Sequence, residues 1–414
     1  MVRRKQTGGA HPADLTGSNA GQAGEYNRAL VLRAIHRDSP ISRTEIARHT
    51  GLTKQAIARI VDRLLDEGLV MEARRRHGLR GQPAIELEIN PEGCFSIGVN
   101  IDRDHLTIVA VDAVGTVRAR VHHEKRFILP DEFIELTRDA ISYFQRSRLI
   151  DEARLAGVGL AIPDWLGELP VLGKPPNYAE WTNFDVRAAL SDLTTHPVFI
   201  DNESNAAAMA ELDYGLGAES RSFFYVYMSA CTGGGLVLDG LRHRGAMGLS
   251  GEVGWLPVTE EDGPRRGKVQ PLGEVFSLFV LYEYLRQHDV KVTKPQDLLR
   301  LDARGRRLVS TWLRRISVYI AEAVLHIGLI VDPDAVVVGG RLPVRLIDEL
   351  LRYVHEHLAN ADPDLPSIHR ASTEDAAALG AAAMSTAAAL MLGSVDPAQR
   401  TRVPLQIPER LSPA

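Results

Sequence analysis

At 414 residues the chain is too long for one ordinary domain, so two or three are expected. Hydrophobic content of 45% and charged content of 24% are those of a globular protein, and no apolar run approaches the roughly 18–20 residues that would cross a bilayer. Two cysteines far apart in sequence, Cys94 and Cys231, and an opening MVRRKQTGGAHPADLTGSNAGQAGE with no apolar core behind its basic residues fit a reduced, cytoplasmic protein without a secretory signal. Charge is unevenly spread. Residues 1–90 hold 15 Lys/Arg against 10 Asp/Glu, net +5, and the remainder holds 33 against 43, net −10. A basic head on an acidic body predicts that the head meets a polyanion.

In chain order, residues 1–22 read as a flexible arm and 23–90 as the head. YNRALVLRAIHR (26–37) places Leu30, Leu32 and Ile35 at helical spacing. Ser42 is placed to cap RTEIARHTG, with Glu45 three residues on as in a capping box, and Gly51 ends that short helix. A further helix runs from Thr53 to Gly68. It buries a stripe of Ile57, Ile60, Val61, Leu64 and Leu65, with Thr53, Lys54, Gln55, Arg59 and Arg63 on or near the other face. LVMEARRRHGLRGQPAIELEIN then reads as a hairpin whose tip carries Arg75, Arg76, Arg80, Gln82 and their basic neighbours.

Helix, short helix, glycine-containing turn, helix and basic hairpin are the order of a winged helix-turn-helix. Such a module would lay its later helix in a DNA major groove. Gln55 could pair with adenine, Lys54 with guanine or a phosphate, and the arginine-rich wing could grip phosphates or a narrow minor groove. Ser42, Arg43, Thr53, Lys54, Gln55, Arg59, Arg75, Arg76, Arg80 and Gln82 are the expected DNA-binding set. The plain alternative is a three-helix domain with a solvated charged face.

The body, residues 91–392, alternates strands and helices, an α/β pattern with repeated strand-strand-helix units in two related lobes. Residues 95–127 predict three strands with turns at Arg103–Asp104 and Gly115. A helix over 131–148 and the strand LAGVGLAIP follow. VFID and an alanine-rich helix come next, then FFYVYMSACTGGGLVLDG, two long helices, and the strand AVVVGG (335–340) before a last predicted helix. Residues 393–414 form a proline-rich tail. In FIDNESNAAAMAE (199–211), polar groups bunch between a strand and a helix, a common way to build a ligand site.

Five stretches carry a resemblance: IGVNIDRDHLTIVAVDAVG (97–115), PPNYAEW (175–181), DNESNAAAMAE (201–211), GAMGLSGEVGW (245–255) and DPDAVVVGG (332–340). Together they resemble the ROK family of bacterial sugar kinases and sugar-responsive repressors, over nearly all of 24–392. The resemblance implies a two-lobed actin-like ATPase fold and, with the winged helix in front, the repressor branch of xylose-type and N-acetylglucosamine-type regulators. A ROK kinase carries D-x-G-G-T after its first strand, where small residues admit nucleotide phosphates. Here Asn100, Ile101, Asp102, Arg103 and Asp104 stand there, bulky and acidic. The second phosphate loop, G-T-G-x-G-G-G, has become Ser229, Ala230, Cys231, Thr232, Gly233, Gly234 and Gly235; its remaining glycines either persist from that loop or simply permit close packing. Glu203 replaces the catalytic Asp of N-D-x-N, one methylene further out.

The expectation is therefore a non-enzyme with a degraded ATP site and a surviving sugar site. By resemblance that site holds Asn177, Asn202, Glu203 and Glu252, with Glu274 near a further contact position but one residue out of register. The family zinc cluster needs a histidine and three cysteines. Trp255 stands where the histidine would be and 256–274 contains no Cys or His, so no metal or other cofactor is expected. Trp255 either stacks on a sugar or fills the vacated space. The expected whole is a sugar-responsive repressor, a homodimer or homotetramer on double-stranded operator DNA, released by a carbohydrate effector that closes the cleft between the lobes. A sugar kinase that also binds DNA, and a regulator controlled by a protein partner, are the alternatives.

Overall fold

The computed structural model describes residues 20–73, 85–168, 173–260, 267–359 and 365–390. The chain divides after Ile89 into two compact units, a head and a body.

In the head, α1 (Ala20–Asp38), β1 (Ile41–Ser42), α2 (Arg43–Thr50), α3 (Lys54–Asp66), β2 (Val70–Glu72) and β3 (Glu86–Ile89) follow one another. α1 starts well ahead of the expected Tyr26. The capping box forms: the Glu45 amide donates to Ser42 Oγ at 3.3 Å, and Ser42 N donates to the Glu45 carboxylate at 2.9 Å. Gly51 ends α2 with φ 70°, a conformation that costs glycine nothing. Thr53 caps α3, accepting from the Ala56 amide at 3.2 Å. α3 buries Ile57, Val61 and Leu64, while Ile60 and Leu65 of the expected stripe are only half-buried. The strands form an antiparallel sheet in the order β1-β3-β2. The hairpin tip with Arg75, Arg76, Arg80 and Gln82 lies outside the described residues.

The body holds two five-stranded sheets built to one plan. The first has β4 (Phe95–Ile101), β5 (Leu106–Asp112), β6 (Val117–His123), β7 (Leu155–Ala161) and β8 (Val198–Asp201), in the order β6-β5-β4-β7-β8. α4 (Pro130–Arg146) and α5 (Val186–Ser191) connect its later strands, and α6 (Glu203–Tyr214) follows it. The second has β9 (Phe223–Met228), β10 (Thr232–Leu238) and β11 (Leu241–Arg242), then a two-stranded ribbon of β12 (Pro257–Thr259) and β13 (Val269–Pro271). α7 (Leu278–Gln287), α8 (Pro295–Leu298) and α9 (Ala303–Val331) lead to β14 (Ala335–Gly340), α10 (Val344–Leu358), β15 (Ser367–Arg370) and α11 (Ala376–Leu390). Its order is β11-β10-β9-β14-β15. Of the two long helices expected after β11, α9 is long and α7 spans only 10 residues. In each sheet three strands pair antiparallel and the last two join in parallel.

The alanine-rich helices α6 and α11 share one core with Val109, Val111 and Phe199 of the first sheet and Phe223, Tyr225 and Val337 of the second. Small side chains let backbones meet. A Cβ on Gly159 would lie 1.8 Å from the Ala381 carbonyl, and one on Gly380 would lie 1.6 Å from the Ala206 carbonyl. Glu211, carried on α6 beyond the alanine run, is buried and structural: it accepts from Ser372 Oγ at 2.6 Å and Thr373 Oγ1 at 2.7 Å, tying α6 to the loop before α11. Gly159→Val is expected to destabilise the body by about 3 kcal/mol or more, because neither backbone can yield to the overpacking. A urea titration followed by far-UV circular dichroism checks this, and an unchanged midpoint would contradict the close contact.

Candidate functional site

The head offers one exposed polar surface. Thr53, Lys54, Gln55 and Arg59 are all exposed at the start of α3 and along its outer face. Ser42 and Arg43 are differently placed from what DNA contact alone would require. Ser42 is buried and its hydroxyl donates to Glu45 at 2.7 Å, so it serves the α2 cap. Arg43 is half-buried and pairs with Asp62 at 2.8 Å, bracing α2 against α3.

In the body, the turns β4–β5 and β9–β10 occupy equivalent places in the two sheets, and their side chains are bonded to each other. Asp102 accepts from Ser229 Oγ and from the Arg103 amide, the latter at 2.7 Å. Asp104 accepts from Arg341, which follows β14 and also reaches Glu124 at 2.7 Å. His105 holds Asp104 at 2.7 Å through Nδ1 and faces Asn100 at 3.0 Å through Nε2. Burial opposes charge on Asp104, but His105 and the Arg341 guanidinium outweigh it and hold the carboxyl down at about 2. Asp102, Asp104 and His105 come close enough together to suit a cation. Arg341 and Arg103 already supply positive charge there.

Arg103 does not project into solvent. It is 3% exposed, and its guanidinium donates to the Asp164 carbonyl at 3.3 Å, in the turn after β7. Asp164 accepts from Asn202 Nδ2 at 2.8 Å. Asn202 in turn caps α6, its carbonyl oxygen accepting from the Ser204 amide at 2.8 Å and the Asn205 amide at 3.4 Å. That leaves Asn202 one amide hydrogen. Glu203 is 8% exposed, and its Oε2 has no hydrogen-bond partner. Ser204 Oγ, Asn205 Oδ1 and Tyr178 OH are likewise unpartnered. Unmade hydrogen bonds on buried polar atoms are costly, and three of these four atoms belong to the first turn of α6. Burial, reinforced by Asp102 and Asp164, pushes the Glu203 carboxyl well above its ordinary value.

Trp255 and Glu252 share the short turn after residue 251, both half-buried, with the Trp255 amide donating to the Glu252 carbonyl at 3.2 Å. The Trp255 ring meets Trp165, the neighbour of Asp164, edge to face at 5.8 Å. Asn202, Glu203 and Trp255 are thus joined through Asp164–Trp165. Asn177 and Glu274 are exposed. Sequence reasoning missed Asp164, Trp165 and Tyr178. Only the place of Tyr178 beside Asn177 in PPNYAEW offered a signal. The glycines of β10 serve packing: a Cβ on Gly233 would lie 2.2 Å from Ser204 Oγ, and one on Gly234 would lie 2.4 Å from the Gly251 carbonyl.

The body, with its two equivalent lobes, has an actin-like sugar-kinase fold, and the head is a helix-turn-helix module with wing strands. The chain belongs to the ROK family, whose model matches residues 96–388, and residues 25–81 match the MarR family. It is 28% identical over 241 residues to the xylose repressor of Bacillus spizizenii, covering 58% of this chain and 62% of that one, less than two thirds of the relative's length. A ROK family transcriptional regulator described as a homolog of the E. coli MLC protein superposes with a TM-score of 0.62 at 20% identity, covering 89% of this chain and 97% of that one. A ROK family glucokinase from Streptomyces griseus, in complex with glucose and AMPPNP, shares the fold at a TM-score of 0.56 and 18% identity, covering 70% and 98%.

Because the folded carboxyl of Glu203 titrates above the unfolded value near 4.5, the native state holds the extra proton. The associated stability is complete below that pH and is lost as pH rises through the folded value. Asp213, which burial pushes up to about 7, acts in the same direction, so the informative quantity is a difference between proteins. The stability of Glu203→Gln relative to the parent is expected to rise with pH above about 4.5. Urea titrations across that range check it, and a constant difference would mean that Glu203 ionises normally.

Proposed function

We propose that this protein is a DNA-binding transcription regulator, a repressor released from its operator by a carbohydrate effector, and that it does not phosphorylate that effector. The relatives named as repressors and the helix-turn-helix head support operator binding. One observation carries the sensing role. The turns that would cradle nucleotide phosphates are bonded to each other through Asp102 and Ser229, and the first is bonded through Asp104 to Arg341 after β14, while the Glu203 carboxyl stays buried with Oε2 unpartnered among the described residues. Carboxylates in the first turn repel a triphosphate, and bulky side chains deny it the backbone.

On this reading α3 lies in the major groove. Gln55 and Lys54 read base edges, Thr53 and Arg59 contact the backbone, and Arg75, Arg76, Arg80 and Gln82 of the wing hold phosphates or the minor groove. Glu203 and Asn202 take sugar hydroxyls, with Trp255 against an apolar sugar face, and Glu252, Asn177 and Glu274 are outer contacts. The effector acts by binding the DNA-competent and DNA-released states unequally. The regulator works in the cytoplasm as a homodimer or dimer of dimers on a two-fold related site.

A second reading, a sugar kinase that also binds DNA, is favoured by one feature: Glu203 stands at the position of the family's catalytic base. ADP release on mixing with ATP and any sugar would support it.

Fluorescence anisotropy with DNA from upstream of the protein's own gene, at physiological salt and with excess competitor DNA, is the primary test. Specific binding weakened by a sugar is expected. Specific binding indifferent to neutral and phosphorylated sugars alike would turn the body into a sensor of something else, such as a protein partner. In the same assay Gln55→Ala is expected to lose about 1–3 kcal/mol of discrimination at one base pair. Arg80→Ala should weaken all sequences evenly and reduce the salt slope by about 1. Unchanged discrimination by Gln55→Ala would remove that residue from base readout.

A further inference from the structure

Next to the Asn202–Glu203 site is an open cavity of about 190 Å³, one wall of which, Trp181, ends the PPNYAEW stretch. Its walls include Asp164, Trp165, Glu168, Trp181, Thr182 and Phe184, but none of Asn202, Glu203, Glu252 or Trp255. Asp164 is the shared boundary: it borders the cavity and also accepts from Asn202 at 2.8 Å. Small-molecule sites usually enclose about 300–1,000 Å³, so this space alone is undersized and suits one part of a ligand whose remainder lies beside it.

Its chemistry is mixed in a specific way. Trp181 is a fixed back wall, its Nε1 donating to the Ile128 carbonyl at 2.8 Å and its ring set edge-on against Phe133 at 5.4 Å and Phe184 at 5.5 Å. Trp165 is half-buried, and its backbone sits at φ 53°, an outlier for a bulky residue that persists only where the surrounding packing holds it. Gly167 allows this turn to approach, since a Cβ there would lie 2.9 Å from the Tyr178 carbonyl. Around the aromatic surface stand the carboxylates of Asp164 and Glu168 and the Thr182 hydroxyl. An aromatic wall with planar carboxylates and a hydroxyl at its edge matches a sugar ring, apolar on one face and lined with hydroxyls at its rim.

We propose that this cavity is a second-ring subsite, so that the effector is a disaccharide or a glycoside and not a free monosaccharide. One ring lies against Glu203 and Asn202, and the ring linked to it lies on Trp165 in the cavity, with Asp164 between them. The inference rests on the carbohydrate-effector reading of the body. It adds the size of the ligand and a residue, Trp165, that selects it.

Isothermal titration calorimetry on the full chain tests it, comparing glucose and xylose with maltose, cellobiose, sucrose and xylobiose. At least one disaccharide is expected to bind at least tenfold more tightly than its component monosaccharide. Trp165→Ala should bring that ratio down toward one. Thr182→Phe, at an exposed position on the cavity rim, should do the same without opening a hole, so a folding defect in the first variant cannot decide the outcome. Melting curves and operator binding verify that both variants are intact. A monosaccharide binding as tightly as every disaccharide overturns the second-ring subsite and leaves the effector reading standing. So does a ratio that neither variant alters. No binding by any of these sugars overturns the effector reading and this inference with it.

Discussion

The body depends on a buried contact across its two sheets. Asp104 comes from the first sheet and Arg341 from the second, and Glu124 shares the guanidinium. Taking these charges out of water costs several kcal/mol per ion, which is recovered only where geometry is good and every remaining lone pair is met. Here His105, Asn100 and His122 complete the second shell of bonds, and Ser229–Asp102 adds a parallel tie between the two equivalent turns. Removing one partner would strand the other charges, so the network fixes the turns against each other.

That constraint shapes the ligand site. Arg103, carried on the same turn, is turned inward onto the Asp164 carbonyl, and Asp164 holds the Asn202 amide. Asn202 is consumed largely by capping α6, which presents Glu203 at the first helical position. The site is therefore anchored on one side by the cross-sheet network and on the other by the alanine-to-backbone contacts that seat α6 against α11. Glu203 is the part left unsatisfied. A buried carboxyl with an unpaired oxygen is a cost to the fold.

Legibility followed the range of the interaction. The α2 capping box, the Gly51 stop, the Thr53 cap and the Gly115 turn were readable because each is settled within a few residues. Strands β4 to β10, β14 and the alanine-rich α6 were readable from periodicity and composition, whereas β11, β15 and the alanine-rich α11 were not foreseen. Element ends were less so: α1 begins earlier than its apolar spacing indicates, because polar residues extend a helix at little cost. The 3₁₀ helix at Pro176–Asn183 and the ribbon of β12 and β13 carried no periodic signal. In the site, the motif residues Asn202, Glu203 and Trp255 were legible by resemblance, whereas Asp164 and Trp165 were not, because they lie in a turn with no recognisable spacing to their partners.

By itself, the sequence determined the kind of molecule: a basic helix-turn-helix head, a duplicated α/β body, a turn after its first strand made of bulky and acidic residues, and a polar cluster at the start of an alanine-rich helix. These follow from local rules of capping, periodicity, charge and side-chain size. Only the tertiary structure decided what those groups do. Arg341 lies far from Asp104 along the chain, and Asp164 far from Asn202. Whether Asp104 repels a ligand or binds its own protein, and whether Glu203 is paired or left waiting, depends on which distant side chain folding brings within about 3 Å. Spacing along a chain does not encode that distance.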